Sequence, residues 1–269
     1  MAEDTWRFNL FAFYGNLNSQ LYIDDFEAPG FYDYRTNTAM VSLGFDRKLV
    51  NNLYGGMSYT FAHSESLVEQ DMGETDNTTH GIQFKITSDT RDNVYYARAG
   101  RKANFRWQTY QKWLGNVETA NKITVAYNQY FSVRDDTDVV AARVYGVFGL
   151  GDITFEQQVV IGRQDIRGYS EAKYRGDGKV AIQGEYRWNF NDKMGLVGFA
   201  GLATIYGSDT TEFNGNFIQA LAQDTVTGLL KRANLILDWM VLLAKMIGEF
   251  TLGLEKPFNF FLFNEIKMT

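Results

Sequence analysis

The residue types that most often carry catalysis or bind metals are scarce in this chain of 269 residues, which has no Cys and two His, His63 and His80. Thiolate metal sites and His-rich metal sites are therefore excluded. His63 directly precedes Ser64, and a Ser–His pair is the centre of many hydrolases. Because adjacent strand residues point to opposite faces, these two side chains cannot make the contact that catalysis needs. We expect a protein that is not an enzyme, with no cofactor and no bound metal.

Two acidic segments could hold divalent cations. Asp135, Asp136 and Asp138 resemble part of a calcium loop, but the later Gly and Glu of such a loop are missing, which favours a solvated turn. The segment 65–78 could bridge to lipopolysaccharide through divalent cations, or it could be an ordinary solvated acidic loop. Its carboxylates are Glu65, Glu69, Asp71, Glu74 and Asp76.

The composition narrows the class of protein further. Aromatic residues make up 16%, Gly is 25 and Pro is only 2, as in a β protein. A net charge of −6 argues against a nucleic-acid partner, which would require a basic surface. The longest apolar stretch, 233–244, is interrupted by Asp238 and is too short for a transmembrane helix. Residues 1–4 (Met-Ala-Glu-Asp) lead straight into a strand-like segment, so we expect no signal peptide in this chain.

Apolar and polar residues alternate along most of the chain. In 179–190, the apolar side chains of Val180, Ile182, Tyr186, Trp188 and Phe190 share one face, and Gln183, Glu185, Arg187 and Asn189 share the other. Such alternation predicts strands with one apolar and one polar face. In a soluble sandwich the apolar face points inward, whereas in an outer-membrane barrel it faces lipid and the polar face lines the lumen.

The length and spacing of the segments favour the membrane barrel. Most are 10–13 residues long, close to the ~9–11 residues that cross a bilayer when tilted. Short turns at 47–51, 134–137 and 191–194 alternate with longer loops at 16–35, 65–78, 150–178 and 207–216. We predict an all-β fold, a closed antiparallel transmembrane β-barrel of about twelve strands. The predicted strands are 6–15, 36–46, 52–64, 79–88, 103–114, 121–133, 138–149, 179–190, 195–206, 217–229, 233–241 and 249–258.

One stretch fits two structures. From Ile218 to Ile247 many apolar residues follow helical spacing, and 229–247 alone is typical of an amphipathic helix. Closure of the barrel, and the alternation within 235–241, favour strands instead.

The segment Gly162–Tyr169, with the sequence Gly-Arg-Gln-Asp-Ile-Arg-Gly-Tyr, lies in the longest loop and precedes two Gly-containing strands, 178–190 and 195–201. This order resembles the bacterial surface-antigen superfamily of outer-membrane barrels, whose members include BamA, TamA and the two-partner secretion transporters. Smaller similarities lie at 89–93, 151–156 and 234–239. The resemblance extends from about 79 to 258.

The resemblance implies that the loop at about 150–178 folds into the lumen as a lid. The lid motif of the family, Val/Ile-Arg-Gly-Phe/Tyr, is matched by Ile166, Arg167, Gly168 and Tyr169. A guanidinium held away from bulk water needs a carboxylate partner, and the resemblance implies that Glu185 on the lumen face is that partner. The alternative is an ordinary Arg-Gly turn at the surface.

A labile seam between the first and last strands, where client strands pair with an exposed edge, is also implied. In this chain the seam would join Trp6, Phe8 and Leu10 to the last predicted strand. The apolar residues of that strand are Phe250, Leu252, Leu254 and Phe258.

The chain departs from the family pattern in several ways, one of which is the absence of the family prolines expected near Ala97 and Thr154. Such barrels usually have sixteen strands, they carry periplasmic POTRA domains ahead of the barrel, and they end at the terminal aromatic, whereas here a tail, 259–269, follows Phe258. The family motif Phe-x-Asp reads Phe-Ala-Gly at 199–201, without its acid. We therefore expect a reduced, POTRA-less member, with one barrel domain over 1–269, that needs a periplasmic partner, forms a homo-oligomer or has another role.

The resemblance implies a barrel in the bacterial outer membrane that aids protein insertion or translocation. Its partners would be client outer-membrane proteins, outer-membrane lipids and lipopolysaccharide. The alternative is a small pore or structural barrel whose lumen is plugged by the lid loop.

Overall fold

The computed structural model of the chain describes residues 5–23, 30–68, 73–162, 165, 173–191 and 194–227. Ten long strands form one antiparallel sheet in which each strand pairs with the next along the chain, in the order β1 to β7, β10, β11, β12. A separate two-stranded ribbon, β8–β9, interrupts this order between β7 and β10. The strands are β1 (Trp6–Ile23), β2 (Gly30–Val50), β3 (Leu53–Val68), β4 (Gly73–Asp89), β5 (Gly100–Tyr110), β6 (Ala120–Val133), β7 (Asp138–Gly151), β8 (Val159–Val160), β9 (Arg175–Gly176), β10 (Gly178–Asn189), β11 (Met194–Tyr206) and β12 (Ile218–Thr227).

The pairing register puts the apolar residues of neighbouring strands on one face of the sheet. Across β1 to β5, a continuous row runs from Phe8 through Phe45, Met57 and Phe84 to Trp107, each side chain opposite the next. All five are between 39% and 74% exposed. A sheet face covered with exposed aromatic and aliphatic side chains is the arrangement expected where lipid, not water, is the solvent.

The opposite face is polar and is held by side-chain hydrogen bonds between strands. Thr38 Oγ1 lies 3.0 Å from Ser64 Oγ, and Asn9 Nδ2 donates to Asp46 Oδ2 at 3.2 Å. Lys85 Nζ forms an ion pair with the same Asp46 carboxylate at 2.9 Å. This polar face is the surface on which the loop between β7 and β10 lies.

Ten of the twelve predicted strands are confirmed, but several of their outer ends were placed wrongly. The predicted loops 16–35 and 65–78 lie largely within strands, because β1 continues to Ile23, β2 begins at Gly30, β3 continues to Val68 and β4 begins at Gly73. The predicted strand 103–114 instead ends at Tyr110, and a 3₁₀ turn, Lys112–Leu114, follows it. Gly115, with a φ of 106°, closes that turn in the left-handed region, which favours glycine.

The described sheet has two edges, β1 and β12, which do not pair with each other. The ambiguous stretch is a strand over Ile218–Thr227, while its remainder and the predicted strands 233–241 and 249–258 lie outside the described residues, as does the tail 259–269. Closure of the barrel therefore stays a prediction. Among the described residues no helix is long and apolar enough to cross a bilayer.

Candidate functional site

The loop 152–177 begins and ends against the polar face of β10 and β11. Its two arms pair as the ribbon β8–β9, and Ile161 N donates to Tyr174 O at 2.9 Å just beyond it. Ile161 is completely buried and lies in one cluster with residues of the three last described strands. The other cluster members are Ala181, Ala203, Ile205 and Ile218. The N-terminal arm of the loop, which contains Ile161, is thus fixed to the sheet by apolar packing.

An ion pair continues this attachment towards the predicted motif. Lys179 Nζ on β10 lies 2.5 Å from Asp165 Oδ2, and the two side chains are 10% and 3% exposed. Lys179 also donates to Val160 O at 2.7 Å, and Gly162 N donates to the Asp165 carboxylate at 3.1 Å. Breaking a buried pair of this kind by removing one partner typically costs about 3–5 kcal/mol, because the other charge stays buried. Asp165 therefore anchors the loop two residues before the motif residue Arg167.

The same loop contacts the polar face of distant strands. Arg175 of β9 donates to Tyr34 Oη on β2 at 2.6 Å and to Phe155 O at 2.9 Å. Glu156 accepts hydrogen bonds from Thr75 Oγ1 of β4 at 2.7 Å and from Asn77 Nδ2 at 3.2 Å. The sheet is therefore curved enough that one loop touches β2, β4 and β10 from the inside of the curve.

Glu185 occupies the position that the sequence predicts for it, on the polar face of β10, and its side chain is 8% exposed. In the structure it pairs with Arg187, two residues further along the same face. Arg187 also donates to Ala97 O at 3.0 Å and lies over the ring of Tyr96, 4.8 Å from its centroid. The predicted motif Ile166, Arg167, Gly168 and Tyr169 lies outside the described residues, so the Arg167–Glu185 pair stays a prediction.

The predicted seam residues on β1 are highly exposed. Trp6, Phe8 and Leu10 are 50%, 74% and 68% exposed on an edge strand. Their predicted counterparts Phe250, Leu252, Leu254 and Phe258 lie outside the described residues. The structure therefore gives one half of the proposed seam.

The turn 90–99, which joins β4 to β5, is organised by two carboxylates. Asp89 forms an ion pair with Arg91 at 2.6 Å. Asp92 Oδ1 accepts the backbone N–H groups of Asn93 and Arg98, each at 2.9 Å, and of Ala99 at 3.2 Å. Partial burial opposes the charge of Asp92, but these donors outweigh it and hold the pKa of the carboxyl below its usual range.

Sequence reasoning missed Asp165 and Lys179, although a signal for Lys179 was present. Lys179 shares its strand parity with Gln183 and Glu185, so the period of two puts all three on the polar face. The contacts of Arg175 with Tyr34 and of Glu156 with Asn77 join residues 141 and 79 positions apart. No spacing rule along the chain reveals such pairs.

The comparisons with known proteins agree with this architecture. The crystal structure of BamA from Haemophilus ducreyi lacking POTRA domains 1-3 is similar in fold, with a TM-score of 0.62 at 12% sequence identity over 81% of this chain. The chain spans about half of that protein, 52% of its length. No curated protein matches the sequence. Residues 2–226 match the Omp85 superfamily domain, which confirms the family that the resemblance predicted and extends the match well before residue 79. The chain belongs to the Omp85 superfamily.

Proposed function

We propose that this chain is a β-barrel of the bacterial outer membrane that aids the insertion or transport of other proteins there, without enzymatic activity. The observation that carries the proposal is the loop 152–177, which is attached through Asp165 to Lys179 and reaches β2 through Arg175. A loop held on the inner face leaves the exposed apolar face and the β1 edge free for lipid and for client strands.

The proposed lid extends this loop into the lumen, where Arg167 of the motif pairs with Glu185. The buried position of Glu185 on the polar face supports that pairing, because a buried carboxylate requires compensating charge. Arg187 already supplies one cation, and a carboxylate with two oxygens can accept two guanidinium groups. The lid would then be pinned at both Asp165 and Glu185.

The proposed seam lies between β1 and the last strand. Trp6, Phe8 and Leu10 give β1 a strongly apolar outer face, and its backbone edge is open in the described sheet. An open edge pairs readily with an extended segment of another chain. Client outer-membrane proteins are the partners that this edge suits, and lipids and lipopolysaccharide surround the apolar face.

Insertion of a client barrel into liposomes that contain the full chain tests this function. We expect the wild type to raise the insertion rate over empty liposomes, and Arg167→Ala to abolish the increase because the lid loses its pin. Arg163→Ala removes the same charge from the same loop outside the motif, and it should retain activity. Equal insertion rates with and without the wild-type chain would contradict the proposal.

A small pore plugged by the loop is the second candidate, favoured by the position of the loop on the inner face. Planar-bilayer conductance of the wild type and of a chain lacking 153–177 separates the two functions. Large conductance that appears only on removal of the loop, together with no effect on client insertion, would favour the pore.

A further inference from the structure

A cavity of about 210 Å³ lies on the polar face, beneath the start of the loop 152–177. We infer that it is a binding site for a soluble phosphate-type oxyanion, a site independent of client insertion. Its lining includes three cationic side chains, Arg106, Lys122 and Lys179, and four neutral hydrogen-bonding side chains, Gln83, Gln108, Thr124 and Tyr145. The lining contains no carboxylate among the residues that the structure describes.

The strand register explains why three cations meet at this point. Arg106 on β5 lies opposite Thr124 on β6, and Lys122 lies opposite Gln108 in the same ladder. Val147 on β7 lies opposite both Thr124 and Lys179. The three cations therefore share one face over four adjacent strands, a width of about 14 Å at ~4.8 Å per strand, which Arg and Lys side chains span from both sides.

The roof of the cavity is the loop itself. Lys122 Nζ donates to Gln157 O, and Lys179 Nζ donates to Val160 O at 2.7 Å. These carbonyl groups orient both ammonium groups but do not neutralise them. The roof thereby holds two positive charges close to the cavity.

The charges around the cavity do not balance. Asp165 neutralises Lys179, and Asp46 on β2 is paired with Lys85 at 2.9 Å. Within the described part of the chain, neither Arg106 nor Lys122 has a carboxylate in ion-pair contact. Lys122 is half-buried and Arg106 is exposed on the polar face. A bound anion would supply the counter-charge that the half-buried Lys122 lacks, with Arg106 at the mouth of the cavity as a second cation, and would thereby stabilise the site.

The chemistry of the lining favours phosphate over other anions. A guanidinium presents two parallel N–H groups that match two oxygens of a phosphate, and ammonium groups and amides can bind the remaining oxygens. The cavity opens on the face opposite the apolar side chains of Phe84 and Trp107. The headgroup of a lipid whose tails lie in the bilayer cannot reach it, so the ligand is a soluble ion.

Isothermal titration of inorganic phosphate into the full chain in detergent micelles tests the site. We expect one phosphate per chain, and we expect Arg106→Gln and Lys122→Gln each to weaken binding by about tenfold, since each removes a charge-assisted hydrogen bond. Lys102→Gln is the matched control, because Lys102 lies on the same face of β5 as Arg106, four residues away. It should bind phosphate as the wild type does.

Three results would overturn the proposal. If the folded wild type binds no phosphate, another group of the chain supplies the counter-charge. If Lys102→Gln weakens binding as much as Arg106→Gln, the effect is one of overall charge. If phosphatidylglycerol added to the micelles displaces phosphate, the ligand is a lipid headgroup and not a soluble ion.

Discussion

Lys179 and Asp165 join β10 to the loop 152–177 through a contact of 2.5 Å between Nζ and Oδ2, with both side chains at least nine-tenths buried. This pair lies beside the apolar cluster around Ile161, so charge pairing and apolar packing fix the same part of the loop. It is the closest described attachment to the motif residue Arg167.

Lys179→Ala is expected to weaken the attachment of the loop by about 3–5 kcal/mol, because Asp165 would remain buried without its partner. Hydrogen exchange at the Ile161 amide, which donates to Tyr174 O, measures the effect as faster exchange. The double variant Asp165→Ala, Lys179→Ala should recover part of the protection. Unchanged exchange in Lys179→Ala would show that the cluster around Ile161 holds the loop alone.

Glu185 allows a comparison of an observed pair with a proposed one. We expect a double-mutant cycle between Glu185→Gln and Arg187→Ala to give a coupling energy of about 0.5–3 kcal/mol, since the two residues are in contact. A second cycle, between Glu185→Gln and Arg167→Ala, should give coupling of similar size if the lid motif reaches Glu185. The free energy of unfolding in liposomes is the measured quantity. Strict additivity in the second cycle would contradict the lid pin.

The turn 90–99 should lose protection in acid. The pKa of Asp92 is lowered in the folded chain, so its contribution is present above the unfolded value of about 3.9 and is lost as the pH falls through the lower folded value. Hydrogen-exchange protection at Arg98 and Ala99, whose N–H groups donate to Asp92, should fall over that range. Asp92→Asn should show low protection at every pH. Identical pH profiles of the two proteins would refute the assignment.

A new charge on β4 should lower the free energy of unfolding far more on the apolar face than on the polar face. Phe84→Arg puts a cation in the exposed apolar row and is expected to cost up to about 2–4 kcal/mol of folding free energy in liposomes, with the largest value at the bilayer midplane. Gln83→Glu puts a new charge on the adjacent residue of the polar face, among the cations that line the cavity, and should cost far less. Urea titrations of folding into liposomes give both values. Equal costs would mean that the apolar face does not meet lipid.

The period of two predicted strand positions well wherever one face was apolar. The predicted starts at 6, 52, 121, 138, 179 and 195 lie within one residue of the observed strand starts. The outer halves of β1 and β4 were predicted as loops, because polar residues predominate there, such as Asn16, Asn18 and Gln20 in β1 and Asp76 and Thr78 in β4. Where few apolar residues mark one face, the alternation that reveals a strand is missing.

Residues of the candidate site were predicted only where the local alternation of apolar and polar residues identifies them. The polar position of Glu185 followed from strand parity, and parity would also have placed Lys179. Asp165 lies inside the segment Gly162–Tyr169, but no nearby residue in the sequence identifies a cation on a strand as its partner. The contact between Arg175 and Tyr34 depends on the curvature of the whole sheet. No short segment of the sequence predicts that curvature.

The central claim is that client insertion needs the loop 152–177 to be pinned to the polar face. The rate of client insertion with the variant Lys179→Ala tests this claim most directly. If the loop must stay pinned, this variant should lose most of the rate increase given by the wild type, while Lys102→Ala, on the same face of the sheet, should keep it. Correct folding of both variants is checked by circular dichroism. A folded Lys179→Ala chain that releases its loop yet inserts clients at the wild-type rate would contradict the account.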